Sequence, residues 1–345
     1  MKAWRLFGPH DFRLVEIDRP RPCPGELSIR VGAAGICHTD VMLQSVPQLG
    51  GGLAQLEVPR TLGHEFAGSI AEVGPGVQGH EAGDNVVAFA SPGCGRCNEC
   101  IRGNENYCVS GFVAPGVHRD GGLAEYAVVS ASAVAPIGAL DVTQAAPLAD
   151  AGMTAYHAIR LAAGVLRPGG LSVVVGIGGL GHVAVQILTA FGSQVIAVDV
   201  NQSKLSLARR CGAMECVRVE ADSAAADTAR HVVRLAGGSA DAAFDFVGAE
   251  PTLALSTSVV RSGGAVLVVG TGGGSVPFGY GHSPAREVSW RVASGGTQGD
   301  LRDVLALAAA GRVKVAVESF DFAAADQVLA KLESGAMVGR AVVCP

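Results

Sequence analysis

The chain has few charged and few aromatic residues, and it has no surplus of positive charge. Asp, Glu, Lys and Arg make up 17% of its 345 residues, Phe, Trp and Tyr make up 5%, and the formal net charge is -5. No basic field exists to attract phosphate backbones or anionic lipid, which argues against nucleic acid as a partner. The most apolar region, residues 173–191, is interrupted by glycines, His182 and Gln186, which is not typical of a membrane span.

The amino-terminal residues 1–12 contain no apolar stretch of signal-peptide length, so we expect a cytoplasmic protein without a membrane partner. A chain of 345 residues predicts two domains at about 150 residues each. Apolar residues make up 49% of the chain, and there are 48 glycines and nine cysteines. In a reducing compartment, cysteines are expected to be metal ligands or core residues rather than disulfides.

The pattern of apolar residues changes near residue 150. Before that point, short β-rich runs are separated by Pro-Gly, Gly-Pro and Gly-Gly turns, which indicates a β-rich, barrel-like domain. From about Ala151, strands alternate with helices, which predicts βαβ units and a doubly wound parallel sheet. The class is therefore α/β. Two helices and a short strand after about Ser294 fit either domain.

Four cysteines share one short segment, residues 92–109, with the ligand spacing of a zinc lobe: Cys94, Cys97, Cys100 and Cys108. Four thiolates fill a tetrahedral shell and leave no open position, so we predict a structural zinc site. The residues between the cysteines are too polar for a hydrophobic core. An iron-sulfur cluster is the alternative.

A second metal constellation is dispersed along the chain. Cys37 and His64 lie in turns rich in polar groups, and Asp150 lies in an apolar stretch where an unpaired carboxylate would be costly. A nearby cation would remove that cost. Together these residues supply three zinc ligands and leave a fourth position for water or substrate, which is the arrangement of a catalytic zinc site.

A glycine-rich turn follows the predicted strand at residues 171–175, with the sequence G-I-G-G-L-G over residues 176–181. Asp199 closes the next strand about 20 residues later, where a carboxylate can bind both ribose hydroxyls of NAD. The glycines allow a pyrophosphate to approach the helix amino terminus. The same carboxylate would repel the 2'-phosphate of NADP, so we predict NAD as the cofactor.

The motifs together resemble the zinc-dependent medium-chain alcohol dehydrogenase family, in order over nearly the whole chain. The four-cysteine lobe, G-I-C-H-T-D, G-H-E and G-I-G-G-L-G all carry the resemblance. It implies a GroES-like catalytic domain of residues 1–151 and 294–345, with a Rossmann NAD-binding domain of residues 152–293 inserted between them. It thereby assigns the carboxyl-terminal tail to the catalytic domain.

The resemblance also implies roles around the catalytic zinc. Glu65 matches a carboxylate that can approach the metal transiently, and Asp40 matches the partner that orients His64. Thr39 matches the hydroxyl that takes the alcohol proton, with the path continuing through the nicotinamide-side ribose to His38 or to water. Two departures matter: many members have cysteine at Asp150, and the position of a relay histidine in some relatives is Met42 here.

For the cofactor, the resemblance implies that Thr154 packs on the nicotinamide, Lys204 binds a ribose and Arg340 reaches the pyrophosphate. His38 occupies a phosphate-facing position. The remaining predicted cofactor contacts come from the glycine turn and from two later loops: Gly176, Gly178, Gly179, Leu180, Gly181, Val247, Gly248, Val269 and Gly270.

The leading interpretation is a zinc-dependent alcohol dehydrogenase that transfers hydride reversibly between NAD and a primary or secondary alcohol. Two alternatives compete with it: a zinc-free quinone or enoyl reductase of the same fold, and a non-catalytic binding protein built on the zinc lobe. The complete ligand sets favour the first. The resemblance further implies a homotetramer, with a dimer as the next possibility.

Overall fold

The computed structural model describes residues 1–45, 57–220, 223–277, 279 and 285–345. The chain divides into two compact units. Unit 1 comprises Met1–Met153, Gly295–Ala309 and Val315–Pro345, and unit 2 comprises Thr154–Ser294 and Ala310–Lys314.

Strands dominate the first part of the chain, and strands and helices alternate in the middle. The strands are β1 Lys2–Gly8, β2 Asp11–Glu16, β3 Glu26–Ile36, β4 Arg60–Thr61, β5 Glu65–Val73, β6 Asn85–Ala88, β7 Tyr126–Ser130, β8 Val134–Pro136, β9 Leu171–Val175, β10 Gln194–Asp199, β11 Glu215–Arg218, β12 Ala240–Asp245, β13 Val260–Val268, β14 Ser289–Val292, β15 Val317–Asp321 and β16 Arg340–Cys344. The helices are α1 His38–Ser45, α2 Asn98–Ile101, α3 Val142–Pro147, α4 Met153–Leu161, α5 Gly181–Ala190, α6 Gln202–Arg210, α7 Ala225–Ala236, α8 Glu250–Val259, α9 Gln298–Ala309 and α10 Ala325–Glu333.

Unit 1 is built on β-sheets, as the turn-rich first part of the sequence predicts. Within the described residues, one sheet has the order β2-β1-β4, and a larger one runs β15-β16-β3-β5-β6-β8 with β7 paired to β3. Strand β3 pairs with β5 in antiparallel register, and Gly68 of β5 packs so closely on the carbonyl of Arg30 that a Cβ would not fit. The carboxyl-terminal strand β16 pairs with β3, so the tail completes the sheet that leads to Cys37.

Unit 2 contains a parallel sheet with the order β11-β10-β9-β12-β13-β14 among its described strands. Numbered within the unit, this is the 3-2-1-4-5-6 order of doubly wound dinucleotide folds. Val173 and Val175 of β9 pack into one core with Ile196 of β10, while Val174 is buried on the opposite face. Burial on both faces explains why these strands appear in the sequence as continuous apolar runs.

In unit 2, helices α4, α7 and α8 and the edge strands β11 and β14 are not among the elements that the sequence pattern predicts. Strand β14 is largely exposed, and Val292 at its end is 83% exposed. Because it buries no apolar face, its sequence does not show the alternation of apolar and polar residues that predicts a strand. Helix α7 is amphipathic and buries only a narrow stripe, Thr228, Ala229 and Val232. No helix within the described ranges is long and apolar enough to cross a membrane.

Candidate active site

The four cysteines of the lobe at residues 92–109 converge on one point. The Sγ atoms of Cys94 and Cys100 lie 4.0 Å apart, and those of Cys97 and Cys108 also lie 4.0 Å apart. Four thiolates bound to zinc at about 2.3 Å in a tetrahedron would be about 3.8 Å apart. The sulfur atoms therefore have the spacing of a closed zinc shell.

Backbone amides surround these sulfur atoms. The amides of Arg96 and Cys97 lower the pKa of Cys94 to about 6, because they stabilise its thiolate. Burial raises the pKa of Cys100 to about 12, so that thiol needs a cation to ionise. Gly93 leaves room for the cluster, because a Cβ there would lie 2.6 Å from Sγ of Cys100. The lobe fits a zinc ion better than four separate thiols.

The dispersed constellation also comes together, within unit 1. Cys37 follows the end of β3, His64 lies between β4 and β5, and Asp150 lies in a π-helical turn over Leu148–Gly152. Oδ2 of Asp150 is 3.6 Å from Sγ of Cys37 and 3.5 Å from Nε2 of His64. Tetrahedral zinc with sulfur, nitrogen and oxygen ligands at about 2.0–2.3 Å gives very similar separations.

Electrostatics supports a cation between these three donors. Cys37 and His64 are each 6% exposed, and the Asp150 carboxylate faces both. Burial alone would lower the pKa of His64, but the carboxylates of Asp40 and Asp150 outweigh burial and hold the pKa well above its usual value. A thiolate, an imidazole and a carboxylate that face one another are the donor types that zinc binds. Glu65 lies in the same cluster but pairs with Arg340, so the other three donors fit zinc with one position left open.

Asp40 contacts the backbone near two of the proposed zinc ligands as well as the His64 ring. Its carboxylate is fully buried, with Oδ1 3.6 Å from Nδ1 of His64. It also accepts hydrogen bonds from the backbone amides of Cys37 at 2.9 Å and Gly63 at 3.3 Å. One carboxylate thus fixes the backbone at one ligand and next to another. The predicted orienting role toward the His64 ring stays a prediction.

Glu65 and Arg340 form a buried pair beside the three ligands. Arg340 donates from Nε at 2.9 Å to Glu65 and from Nη2 to its other oxygen, and Nη2 lies 3.6 Å from Oδ2 of Asp150. Glu65 also accepts from the amide of Ala151 at 3.1 Å. Burial raises the pKa of Glu65 to about 7 against the opposing effect of Arg340. The guanidinium of Arg340 thus donates hydrogen bonds to Glu65. Its predicted contact with the pyrophosphate stays a prediction.

Gly35 packs against Glu65 of this pair, and the sequence analysis did not predict a role for it. Gly35 is opposite Glu65 in the β3–β5 register, and a Cβ at Gly35 would overlap a carboxylate oxygen of Glu65. The only sequence signal is its place in G-I-C-H-T-D, just before Cys37. Glycine is required here because the carboxylate folds over the strand.

The predicted proton acceptor lies next to the ligand cluster. Oγ1 of Thr39 is 3.7 Å from Sγ of Cys37, in the first turn of α1. His38 begins the same helix and is exposed, and Met42, one turn later, is 40% exposed. The hydroxyl of Thr39 is thus close to one proposed zinc ligand, and its predicted role toward the substrate stays a prediction.

In unit 2, the glycine turn predicted for the dinucleotide joins β9 to α5. Gly176 has a left-handed φ of 87°, and Gly181 packs directly on the Gly176 carbonyl, so neither position accepts a Cβ. A Cβ at Gly178 would meet nothing within 4 Å, so there is open space beside the Gly178 Cα, just before the amino terminus of α5. Such a turn has room for a pyrophosphate.

Asp199 is held by the backbone around it. Its carboxylate accepts from the amide of Ile177 in the glycine turn at 2.7 Å and from that of Asn201 at 2.8 Å. Asn201 in turn caps α6, with Oδ1 accepting from Ser203 at 2.8 Å and from Lys204 at 3.4 Å. The carboxylate therefore has a fixed position at the end of β10, as ribose binding requires.

The loops after β12 and β13, which are predicted to contact the cofactor, pack closely against each other. Asp245 ends β12, is fully buried and accepts from the amides of Val247 at 2.8 Å and Gly248 at 2.9 Å. A Cβ at Gly270 would overlap the backbone of Val247. Sequence reasoning missed Asp245, although an acidic residue closing a buried strand is a signal. Thr154 is buried in α4 of the same unit, and Val269 follows β13.

The parallel sheet with its glycine turn, the β-rich unit and the two donor sets define a zinc-binding dehydrogenase with two domains. Residues 23–139 match the alcohol dehydrogenase GroES-like domain, and residues 179–310 match the zinc-binding dehydrogenase domain. The chain belongs to the zinc-dependent medium-chain alcohol dehydrogenase family.

Several relatives align with nearly the full chain. An alcohol dehydrogenase of Geobacillus stearothermophilus is 34% identical over 96% of this chain and 95% of its own length. An NAD-dependent alcohol dehydrogenase of Sulfurisphaera tokodaii is 34% identical over 100% of both chains. The crystal structure of the Aeropyrum pernix alcohol dehydrogenase superposes with a TM-score of 0.91 at 36% identity, covering 100% of both chains.

Proposed function

We propose that this protein is an NAD-dependent zinc alcohol dehydrogenase that oxidises a primary or secondary alcohol reversibly to an aldehyde or ketone. The observation that carries this proposal is the convergence of Cys37, His64 and Asp150 at the separations of a zinc shell with an open position. The dinucleotide turn of unit 2 and the NAD-dependent relatives support the choice of cofactor.

When bound, zinc supplies Lewis acidity at the substrate oxygen and NAD accepts the hydride. The chain's own residues supply positioning and proton transfer. Asp40 fixes the backbone that carries Cys37, and Arg340 holds Glu65 beside Asp150. These anchoring side chains are buried, so water does not compete for their hydrogen bonds. They therefore hold the zinc ligands in a fixed arrangement.

Thr39 supplies the proton path in this proposal. Its hydroxyl accepts the proton of the alcohol and passes its own proton through the nicotinamide-side ribose hydroxyl to His38 or to water. Met42 carries no titratable group, so a histidine relay at that position is not used.

Replacement of Thr39 separates its hydroxyl from its shape. Thr39→Ser keeps the hydroxyl and should retain near-normal kcat, whereas Thr39→Val keeps the shape and should lose about a hundredfold or more, the lower range for general acid-base assistance. Steady-state kinetics at several pH values measures this. Equal activity in the two variants would leave Thr39 with a packing role only.

Asp199 is the proposed selector of NAD over NADP. Asp199→Asn should narrow the preference for NAD over NADP in kcat/KM by about tenfold or more, since the charge that repels the 2'-phosphate is removed. Its single oxygen keeps an acceptor for one of the two backbone amides that Asp199 binds. Asp199→Gly would remove both amide contacts as well and distort the turn. Wild-type protein with equal kcat/KM for NAD and NADP would contradict this assignment.

The activity itself is tested by the absorbance of NADH with a panel of primary, secondary and aromatic alcohols. Turnover that a chelator abolishes and zinc restores supports the proposal. Reduction of quinones or enoyl compounds without metal would favour the zinc-free reductase, and no turnover in the zinc-loaded protein would favour a binding protein.

Three further assignments belong to this proposal. The catalytic domain comprises residues 1–151 and 294–345, and the cofactor domain comprises residues 152–293. The expected location is the cytoplasm, where cysteines serve as metal ligands or core residues. The expected homotetramer rests on the family resemblance, and sedimentation velocity distinguishes it from a dimer.

A further inference from the structure

His182 is a fully buried imidazole in the first turn of α5, directly after the glycine turn of unit 2. Its Nδ1 lies 2.8 Å from the carbonyl oxygen of Gly178, the middle residue of that turn. A carbonyl oxygen can only accept a hydrogen bond, so Nδ1 carries the hydrogen in this contact. The proposed function has not yet given this buried polar side chain a role.

The ring is the closer of two donors to the Gly178 carbonyl. The backbone amide of His182 also donates to this oxygen, at 3.3 Å. N–H···O hydrogen bonds are most frequent at about 2.9–3.0 Å, so the amide bond is long and the ring bond is short. The imidazole therefore restrains the direction of this carbonyl more firmly than the helix backbone does.

The direction of this carbonyl also determines that of the next amide. The peptide between Gly178 and Gly179 is trans, and in a trans peptide the C=O and N–H groups point in opposite directions. The carbonyl points toward the His182 ring, so the Gly179 amide points away from it, out of the amino terminus of α5. Gly179 is half-buried, and its amide donates to no residue that the structure describes. Such an amide is available to an anion.

Two adjacent glycines make this restraint important. A peptide between glycines has no side chain to limit its rotation, so it loses much conformational freedom when a ligand fixes it. A group that is already held in its bound orientation loses less, and the affinity is correspondingly higher. The buried bond from His182 supplies that restraint without occupying the space beside Gly178 that a ligand would need.

We propose that His182 is a positioning residue for the pyrophosphate of the cofactor: its Nδ1–H holds the Gly178 carbonyl, which directs the Gly179 amide at a phosphate oxygen. This inference rests on the proposed function, in which the glycine turn binds NAD. The ring is buried and does not contact the cofactor itself. Its loss should therefore raise the Kd and KM of the dinucleotide without lowering kcat at saturating NAD.

The test compares two replacements of the ring by fluorescence titration of the zinc-loaded protein with NADH. His182→Leu fills a similar volume without a donor, and it should raise the Kd of NADH about fivefold or more, as expected for one lost hydrogen bond. His182→Asn keeps an N–H near the position of Nδ1, and its Kd should stay within about twofold of the wild-type value. Asparagine is smaller than leucine, so a packing role alone would give the opposite order.

Fragments of the cofactor identify the part that His182 affects. ADP-ribose contains the pyrophosphate, whereas adenosine contains only the base and one ribose. In competition with NADH, His182→Leu should weaken ADP-ribose about as much as NADH and leave adenosine unchanged. An equal loss for adenosine would overturn the proposal, because His182 would then affect the whole dinucleotide site.

Thr189→Val is the matched control. Thr189 lies at the other end of α5, and its Oγ1 likewise donates to the carbonyl four residues earlier, that of Val185, at 2.8 Å. Loss of this bond should leave the Kd of NADH unchanged. If His182→Leu does not fold, His182→Met makes the same comparison, because its flexible apolar side chain adapts to irregular core space.

The outcomes separate this inference from the proposed function. Wild-type protein that does not bind NADH would overturn the cofactor assignment and the role of His182 with it. Wild-type protein that binds NADH, with an unchanged Kd in His182→Leu or an equal loss in His182→Leu and His182→Asn, would overturn the role of His182 alone.

Discussion

Asp150→Ala is expected to lower kcat/KM for alcohol oxidation by about a thousandfold. The change removes one of three proposed zinc ligands, and Lewis-acid polarisation of the substrate oxygen contributes several kcal/mol, where each 1.36 kcal/mol is about tenfold in rate. The carboxylate also lies 3.6 Å from Nη2 of Arg340, so its loss leaves that guanidinium with Glu65 alone. Steady-state kinetics and metal analysis on the same sample measure both effects.

Two controls accompany this variant. Metal analysis should fall from two zinc ions per chain to about one while the thermal midpoint changes little, since the four-cysteine lobe is intact. Asp150→Cys restores a ligand of the type that many family members have, and it should recover zinc and part of the activity. A folded Asp150→Ala protein with two zinc ions and full turnover would contradict the ligand assignment.

Cys100→Ser is expected to damage stability far more than chemistry. The binding energy of a structural zinc ion is coupled to folding, so loss of one thiolate costs several kcal/mol. One kcal/mol corresponds to roughly 2–4 °C in chains of 150–250 residues and to less in longer ones, so the thermal midpoint should fall by about 5 °C or more. Scanning calorimetry measures this shift, and kinetics at low temperature should show that the remaining folded enzyme retains most of its kcat.

Cys23→Ser is the matched control for this change. Cys23 is exposed and lies outside both cysteine-containing donor sets, so its replacement should leave the midpoint and the zinc content unchanged. If Cys100→Ser matched Cys23→Ser in stability and kept two zinc ions, the four-cysteine lobe would not hold a structural metal.

The local sites could be predicted from the sequence because their residues are close along the chain. The four lobe cysteines fall within residues 94–108, so short turns alone bring their sulfur atoms together. The glycine turn and Asp199 belong to one βαβ unit, whose handedness and length fix where the second strand ends. In both cases local backbone geometry limits the alternatives.

Only the tertiary structure decided the contacts between distant segments. Cys37 and Asp150 are 113 residues apart, and Glu65 and Arg340 are 275 residues apart. The register that sets Gly35 against Glu65, and β16 against β3, determines which side chains surround the ligands. By itself, the sequence predicted the donors at both zinc sites and the dinucleotide turn. The pairing of Arg340 with Glu65 and the anchoring by Asp40 and Asp245 depend on strand register and burial, which the spacing of residues along the chain does not determine.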